Sequence, residues 1–375
     1  MTAEQPKPFD EQSLAAITEV DRQFFQHLIA QGATSRAAIA ADIGISRPTA
    51  SESAKRLLKA ALIKESGVQS GQRGRAPVLY DINPARGHTL SLAMDHDWIG
   101  LRVCNLARRI LWERVEALGP ETTPELLVQR SRALLSEGRP QAAGPCLSAT
   151  CSVADPVDPG TGQVIDLPDS PFPAGHVEVG AKIFGLESAP LVIDNDVNWA
   201  AFAESRIGIM QSQPNFLYVF IGAGIGAALY VNGAIYRGAS GLAGEIGYLQ
   251  VAPGQTLAQR LIELEIASPV DSSIDTDKLI RVFESDPLGP TADAVIEALA
   301  WAIANTTIAL NPGAVILAGR VVGNRHFHTR LSRAVSDTLP TEIKIETTSF
   351  GSYAPLTGAT LGAQEQAERC LNLGF

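Results

Sequence analysis

Two short polar motifs carry the side chains of this sequence that are best suited to hold a small ligand. Residues 194–198 read Asp-Asn-Asp-Val-Asn directly after an apolar run of strand length, and residues 244–247 read Gly-Glu-Ile-Gly. A carboxylate and two amides at the carboxyl end of a buried strand lie where α/β folds place ligand chemistry. Burying such groups is costly unless they are hydrogen-bonded. Hydroxyl groups of a ligand would satisfy them, so we predict a ligand site that contains Asn195, Asp196 and Glu245.

A glycine-rich segment lies between these motifs. Residues 216–221 form an apolar run, which ends at glycines spaced two apart, and a second apolar run follows up to Asn232-Gly233. Asn-Gly is the strongest short hairpin signal, so we predict strand, glycine turn, strand, hairpin, strand. Such glycines let backbone N–H groups approach a bound oxygen, although a purely structural turn would use the same residues. Gly222 and Gly224 are therefore candidate ligand contacts.

Farther along the chain, the apolar spacing predicts the elements that support this region. An amphipathic helix is expected over residues 255–268, another helix over 288–310, and a closing helix over 356–371.

The N-terminal residues have the pattern of three helices followed by a β-hairpin. Ser46 can cap the third helix, with Pro48 in its first turn, where the missing N–H of proline costs nothing. Two helices joined by a glycine-containing turn form a helix-turn-helix. Strands at 62–65 and 78–82 then bracket a tip with two arginines, which we interpret as a wing.

Charge is distributed unevenly along the chain. The 375 residues carry a net charge of −10, which argues against a protein covered uniformly by nucleic acid. Residues 21–80 hold nine basic and four acidic side chains, a surplus of +5, so the remainder carries −15. A basic domain on an acidic body indicates that one part meets a phosphate backbone while the body has another task.

Composition narrows the class of protein. No apolar run approaches the ~20 residues of a membrane span, and the polar N-terminus has no signal-peptide core. The four cysteines lack metal-ligand spacing and are expected to be buried thiols in a reducing compartment. We therefore predict a cytoplasmic protein with no membrane partner.

Three motifs in this order and spacing resemble the ROK family (repressors, open-reading-frame proteins and sugar kinases): Asn195-Asp196-x-Asn198, Gly222-x-Gly224-Ile225-Gly226 and Gly244-Glu245-x-Gly247. The resemblance implies an α/β protein in which a winged helix-turn-helix precedes a two-lobed, actin-like (ribonuclease H-like) domain of the sugar-kinase type. The expected segments are a disordered lead at 1–12, the DNA-binding domain at 13–85 and the effector domain at 86–375. Within the effector domain, lobe one covers about 86–194 plus the C-terminal helix, and lobe two about 195–350.

The resemblance also implies a class of ligand, and the departures from the family's zinc-binding motif predict that zinc is absent. Tyr248 stands where the family has a zinc-binding histidine, and no cysteine lies between Cys151 and Cys370, so we expect neither zinc nor another cofactor. Tyr248 keeps a hydrogen-bond donor but changes its size, which favours an unusual sugar, a polyol or a sugar phosphate. The family's last sugar-binding glutamate could be Glu263 or Glu265, and the sequence leaves this register open.

The N-terminal domain resembles the winged helix-turn-helix of the family's repressors, which implies its DNA contacts. Thr49, Ser51 and Glu52 are expected to face the bases. Arg47 and Arg56 are expected to contact phosphate or guanine. Arg73 and Arg75 are expected to enter the minor groove. Operator DNA with an inverted repeat, bound by a homodimer or homotetramer, is the expected partner.

Departures from the kinase pattern decide between the possible functions. The kinases carry Asp-x-Gly-Gly-Thr in the turn that holds ATP phosphates, whereas this turn has His96, Asp97 and Trp98. Asp155 stands where a glycine is expected. We therefore predict a sugar-controlled repressor without catalytic residues. The alternatives are an active ATP-dependent sugar kinase with Asp196 as its general base, and a DNA-bound dimer whose pocket binds nothing.

Overall fold

The computed structural model of the protein describes residues 11–68, 76–119, 122–165, 167, 170, 172, 177–185 and 189–374. The predicted disordered lead lies mostly outside these residues, and its last two positions begin the first helix. The predicted wing tip, with Arg73 and Arg75, also lies outside them.

The N-terminal domain packs helices against a small sheet in the order β1-β3-β2. Its elements are α1 (Glu11–Ala15), α2 (Glu19–Gln31), β1 (Thr34–Ser35), α3 (Arg36–Asp42), α4 (Arg47–Lys59), β2 (Ile63–Val68) and β3 (Val78–Ile82). The Ser35 hydroxyl accepts from the Ala38 amide, and the Ser46 hydroxyl accepts from the Thr49 amide. These caps satisfy donors that a helix start would otherwise leave unpaired, which is why α3 and α4 begin where they do.

The first lobe contains a five-stranded sheet in the order β6-β5-β4-β7-β8. Its elements are β4 (His88–Met94), β5 (Trp98–Asn105), β6 (Ile110–Ala117), α5 (Pro124–Gly138), β7 (Cys146–Val153) and β8 (Leu191–Asn195). Helix α6 (Asp196–Ile207) follows β8 and packs in the core of the second lobe. Strands β4, β7 and β8 are parallel, and β5 and β6 are antiparallel to their neighbours.

The second lobe repeats this arrangement in the order β11-β10-β9-β14-β15. Its elements are β9 (Phe216–Ile221), β10 (Ile225–Val231), β11 (Ala234–Tyr236), β12 (Gln250–Ala252), β13 (Gln255–Thr256), α7 (Leu257–Glu263), α8 (Thr276–Ser285), α9 (Pro290–Leu310), β14 (Ala314–Ala318), α10 (Arg325–Thr338), β15 (Lys344–Thr347) and α11 (Ala354–Cys370). Strands β9, β14 and β15 are parallel. The two sheets therefore share one topology, an internal duplication that the sequence does not reveal.

Helix α11 leaves the second lobe and packs against the first. It lies on α6 and on strands β4 and β7. Gly358 and Gly362 face Trp199 of α6, and a Cβ atom on Gly358 would lie 1.8 Å from the Trp199 carbonyl oxygen. Because no side chain larger than hydrogen fits there, α6 and α11 approach backbone to backbone.

Three expectations need correction or qualification. The helix predicted over 255–268 spans only Leu257–Glu263, because Glu265 adopts φ 56° and turns the chain so that Ile266 enters the core of the second lobe. Cys370 is exposed rather than buried. Helix α9 is long and apolar enough to cross a membrane, but half of it is buried inside the protein, as in the core helix of a folded domain.

Candidate functional site

Three carboxylates follow the ends of three neighbouring parallel strands. Met94 on β4 pairs with Val153 on β7, and Val153 pairs with Asn195 on β8. Since adjacent strands lie ~4.8 Å apart, Asp95, Asp155 and Asp196 come together at the edge where α/β sheets bind ligands. Asp155 was not predicted as a ligand group, although its place after an apolar strand is the same signal that identified Asp196.

Glu245 reaches this edge on a loop that is fixed by two glycines. Gly241 and Gly244 have φ angles of 83° and 102°. A Cβ atom would lie 2.2 Å from the Val157 carbonyl oxygen at the first and 1.8 Å from that of Ala227 at the second. The loop is therefore pressed against both lobes, which brings Glu245 beside the strand ends.

We call Asp95, Asp155, Asp196 and Glu245 the carboxylate cluster. Burial raises the pKa of Asp196 well above its usual range, and the charges of the other three members act in the same direction. Burial likewise raises the pKa of Glu245 to about 7, with a contribution from Asp155, and the pKa of Asp95 to about 6. Within the described parts of the chain, no group of His, Cys, Asp or Glu side chains has an arrangement that could hold a metal ion. The carboxyl oxygens of the cluster can accept hydrogen bonds from hydroxyl groups, and the members that stay protonated can also donate to them.

The start of α6 orients Asp196. The Asn195 side-chain oxygen caps the helix by accepting from the Val197 amide at 3.0 Å, and Asp196 accepts from the same amide at 2.7 Å. Asn198 donates to Asp194 at 2.9 Å, and Arg237, which sequence reasoning missed, donates to Asp194 as well. These bonds use the side-chain oxygen of Asn195 and the side-chain nitrogen of Asn198. A ligand contact by Asn195 therefore remains a prediction, and it concerns the side-chain nitrogen of this residue.

The other predicted ligand residues occupy different surroundings. The Gly222 amide donates to the Gly224 carbonyl at 2.9 Å, which closes the turn between β9 and β10. The Tyr248 side chain is 48% exposed on a single 3₁₀ turn. Glu263 pairs with Arg260, and Glu265 lies 3.5 Å from Lys278 with its side chain 85% exposed. Both glutamates therefore point to solvent, whereas ligand contacts by Gly222, Gly224 and Tyr248 remain predictions.

An indole fills the turn where the family's kinases carry glycines. Trp98 is 6% exposed and packs with Ala93 and Leu356. Its ring meets Tyr353 edge to face, with 5.0 Å between the centroids. The backbone amide of Asp95 donates to the Trp98 carbonyl at 2.9 Å, so the turn is short and internally bonded. The indole therefore occupies space in this turn that glycines would leave open to the oxygens of a phosphate.

Five of the predicted DNA-contact residues lie on α4, and the other two, Arg73 and Arg75, are outside the described residues. Arg47 and Glu52 are exposed, Thr49 and Ser51 are half-buried, and Glu52 pairs with Lys55 at 2.7 Å. Arg56 instead donates two hydrogen bonds of 2.8 Å to Asp21, whose side chain is fully buried. This pair links α4 to α2, and because the Arg56 side chain is still 33% exposed, a DNA contact by Arg56 remains a prediction.

Comparison with known proteins adds to this geometry. The model of the ROK family matches residues 92–366. The xylose repressor of Bacillus subtilis (strain 168) is 25% identical over 220 residues, which cover 58% of this chain and 56% of the repressor. The chain thus spans about half the length of the curated relatives it matches.

Solved structures extend the likeness. A ROK family transcriptional regulator, a homolog of the E. coli MLC protein, matches 97% of this chain and 98% of its own, with a TM-score of 0.67 and 18% identity. A ROK hexokinase from Thermus thermophilus matches 74% of this chain and 97% of its own, with a TM-score of 0.59 and 21% identity. The predicted fold class is therefore confirmed, and the regulator matches nearly the whole chain.

Proposed function

The chain belongs to the ROK family, and from this premise we propose that it is a transcriptional repressor of carbohydrate metabolism genes, controlled by a sugar, polyol or sugar phosphate. The observation that carries the proposal is a helix-turn-helix domain attached to a ROK body whose phosphate turn holds Trp98. The first part suits DNA, and the second retains acceptors for ligand hydroxyls without the means to hold ATP. Such a protein would act in the cytoplasm.

Helix α4 would read the operator. In helix-turn-helix proteins the second helix lies in the major groove, and its first residues face the base edges. This places Arg47, Thr49, Ser51 and Glu52 at the DNA, and the sequence adds Arg73 and Arg75 at the wing tip. Two subunits related by a twofold axis, in a homodimer or homotetramer, would bind an inverted repeat.

DNA binding is tested by fluorescence anisotropy on an operator selected from random duplexes and on its scrambled sequence. Arg47→Ala should weaken binding to both duplexes and reduce the salt slope by about one unit per subunit. Ser51→Ala should relax base preference and leave the salt slope nearly unchanged. Arg333→Ala, an exposed arginine on α10, is the control. Equal affinity for both duplexes at every salt concentration would contradict a sequence-reading helix.

The effector site is tested by a thermal-shift screen of monosaccharides, polyols and their phosphates. A ligand at ~100 times its dissociation constant should add ~2.7 kcal/mol of stability. Asp196→Ala should abolish this shift without unfolding the protein, and Asp337→Ala, at an exposed position on α10, should preserve it. A hit whose shift survives Asp196→Ala would place the ligand elsewhere.

The kinase alternative has one feature in its favour, the raised pKa of Asp196, which burial and the neighbouring carboxylates cause. A general base needs a pKa near the working pH. Still, phosphoryl transfer depends mainly on positioning and charge neutralisation of the phosphates. We expect no turnover of the best-binding sugar with magnesium-ATP, and phosphorylation that disappears in Asp196→Asn would favour the kinase instead.

A further inference from the structure

A cavity of about 220 Å³ lies where β8, α6, β11 and α11 meet. Three arginines line it, together with two carboxylates and two aromatic residues: Arg206, Arg237, Arg369, Asp194, Glu365, Trp199 and Phe202. Its lining includes no member of the carboxylate cluster, so the cavity is distinct from the proposed effector site.

The lining of this cavity has a basic surplus, although the part of the chain that forms it is acidic. Residues outside 21–80 carry a net charge of −15, yet three guanidinium groups face only two carboxylates here. Glu365 serves two arginines, since Arg206 lies 2.6 Å from it and Arg369 lies 3.6 Å from it. Arg206 also donates to Ser205 and Tyr230, and Arg369 donates to Gln366. Because a guanidinium has five N–H donors, each of the two arginines keeps some of them for a further oxyanion.

The guanidinium groups are accessible. The side chains of Arg206, Arg237 and Arg369 are 34%, 36% and 56% exposed, respectively. Arg237 is anchored by Asp194, and Arg206 by Glu365 and by the Tyr230 hydroxyl at 3.0 Å. Anchored guanidinium groups lose little conformational entropy when they bind phosphate or carboxylate, and their planar fork matches both groups.

An apolar surface lies beside these donors. The Arg206 guanidinium carbon is 4.3 Å from the centroid of the Phe202 ring, and Trp199 packs edge to face on the same ring. The Arg206 guanidinium covers one face of this ring, so the apolar lining open to a carbon ring is the rest of Phe202 together with Val192 and Ile235.

We propose that this cavity is a second ligand site for a small organic anion, whose phosphate or carboxylate group binds Arg206 and Arg369 and whose carbon skeleton lies against Phe202. The site goes beyond the proposed effector function and does not depend on it. The cavity lies close to the start of α6 and to the N-terminal domain. Asp194 precedes the start of α6, and Glu365 lies one turn from Glu368, which accepts from Gln26 of the N-terminal domain at 3.0 Å.

The test uses the full chain and two probes, phenyl phosphate and benzoate, each compared with potassium chloride at equal ionic strength. We expect at least one probe to raise the melting temperature, and the two arms separate phosphate from carboxylate recognition. Arg369→Gln should weaken the binding measured by calorimetry about tenfold. This position is exposed on α11, so the variant should fold.

Arg333→Gln is the matched control, since it removes another exposed helical arginine with an acidic partner one turn away. Binding should also survive Asp196→Ala, which separates this site from the effector site. The proposal is overturned if neither probe stabilises the protein beyond potassium chloride, or if Arg369→Gln binds the probes as well as the unmodified chain does.

Discussion

At the scale of single residues, the carboxylate cluster should make stability depend on pH. Burial raises the pKa of Glu245 to about 7 and that of Asp95 to about 6, and neighbouring acids add to both shifts. The folded protein therefore keeps these protons at pH values where the unfolded chain has released them. Their contribution to the free energy of unfolding is full below about pH 4 and is lost as the pH rises to about 7.

Replacing Glu245 by glutamine should remove part of this dependence. The Glu245→Gln variant lacks the buried charge. At pH 8 we therefore expect its free energy of unfolding to be about 1–2 kcal/mol higher than that of the unmodified protein, after allowing for solvent screening. The difference should vanish near pH 4. Urea unfolding over a pH series measures it, with Glu342→Gln at an exposed position as the control. A difference that is the same at both pH values would contradict the raised pKa.

At the scale of elements, the contact between α6 and α11 determines how the lobes are joined. A Cβ atom on Gly358 would lie 1.8 Å from the Trp199 carbonyl oxygen, whereas one on Gly351 would meet open space. Gly358→Ala should therefore destabilise the protein by about 1–3 kcal/mol through overpacking, although alanine favours a helix by itself. Thermal unfolding of Gly358→Ala beside Gly351→Ala tests this, and equal melting temperatures would show that the helices can separate at no cost.

At the scale of the whole molecule, the end of α11 ties the DNA-binding domain to the body. Glu368 is buried and accepts from Arg108 at 2.8 Å and from Gln26 at 3.0 Å, and Arg22 donates to Asn372 at 3.1 and 3.0 Å. Leu371 and Leu373 join the apolar core of the N-terminal domain. Movement of α11 would therefore displace α2, which packs directly on α4.

Loosening this junction should uncouple the two parts. Glu368→Gln leaves the Arg108 guanidinium without its carboxylate, which costs about 1–3 kcal/mol locally. We expect the effector to change operator affinity less in this variant than in the unmodified chain, and the unfolding endotherm to broaden or split. Anisotropy with and without effector, together with calorimetry, measures both, and Glu342→Gln is again the control. An unchanged effector response would exclude this route of coupling.

The sequence by itself determined the features that depend on neighbouring residues. Ser35 and Ser46 fix helix starts through bonds to amides three residues away, and an apolar run that ends at glycines fixes β9 and its turn. Residues 194–198 likewise form a strand end and a helix start because Asn195 caps its own helix. These signals predicted the local elements and the position of Asp196 directly after a strand, whereas the fold class was predicted from the resemblance of three motifs to the ROK family.

Only the tertiary structure decided which distant groups meet. Arg56 has the local pattern of a DNA contact, and only the fold shows that its guanidinium also pairs with the buried side chain of Asp21, 35 positions away. Asp95, Asp155 and Glu245 join Asp196 because parallel strands end at one edge and because Gly241 and Gly244 press their loop onto it. The cavity beside Arg206 exists because α11 returns to the first lobe. Such meetings depend on chain topology and on which groups are buried together, which local periodicity and capping do not encode.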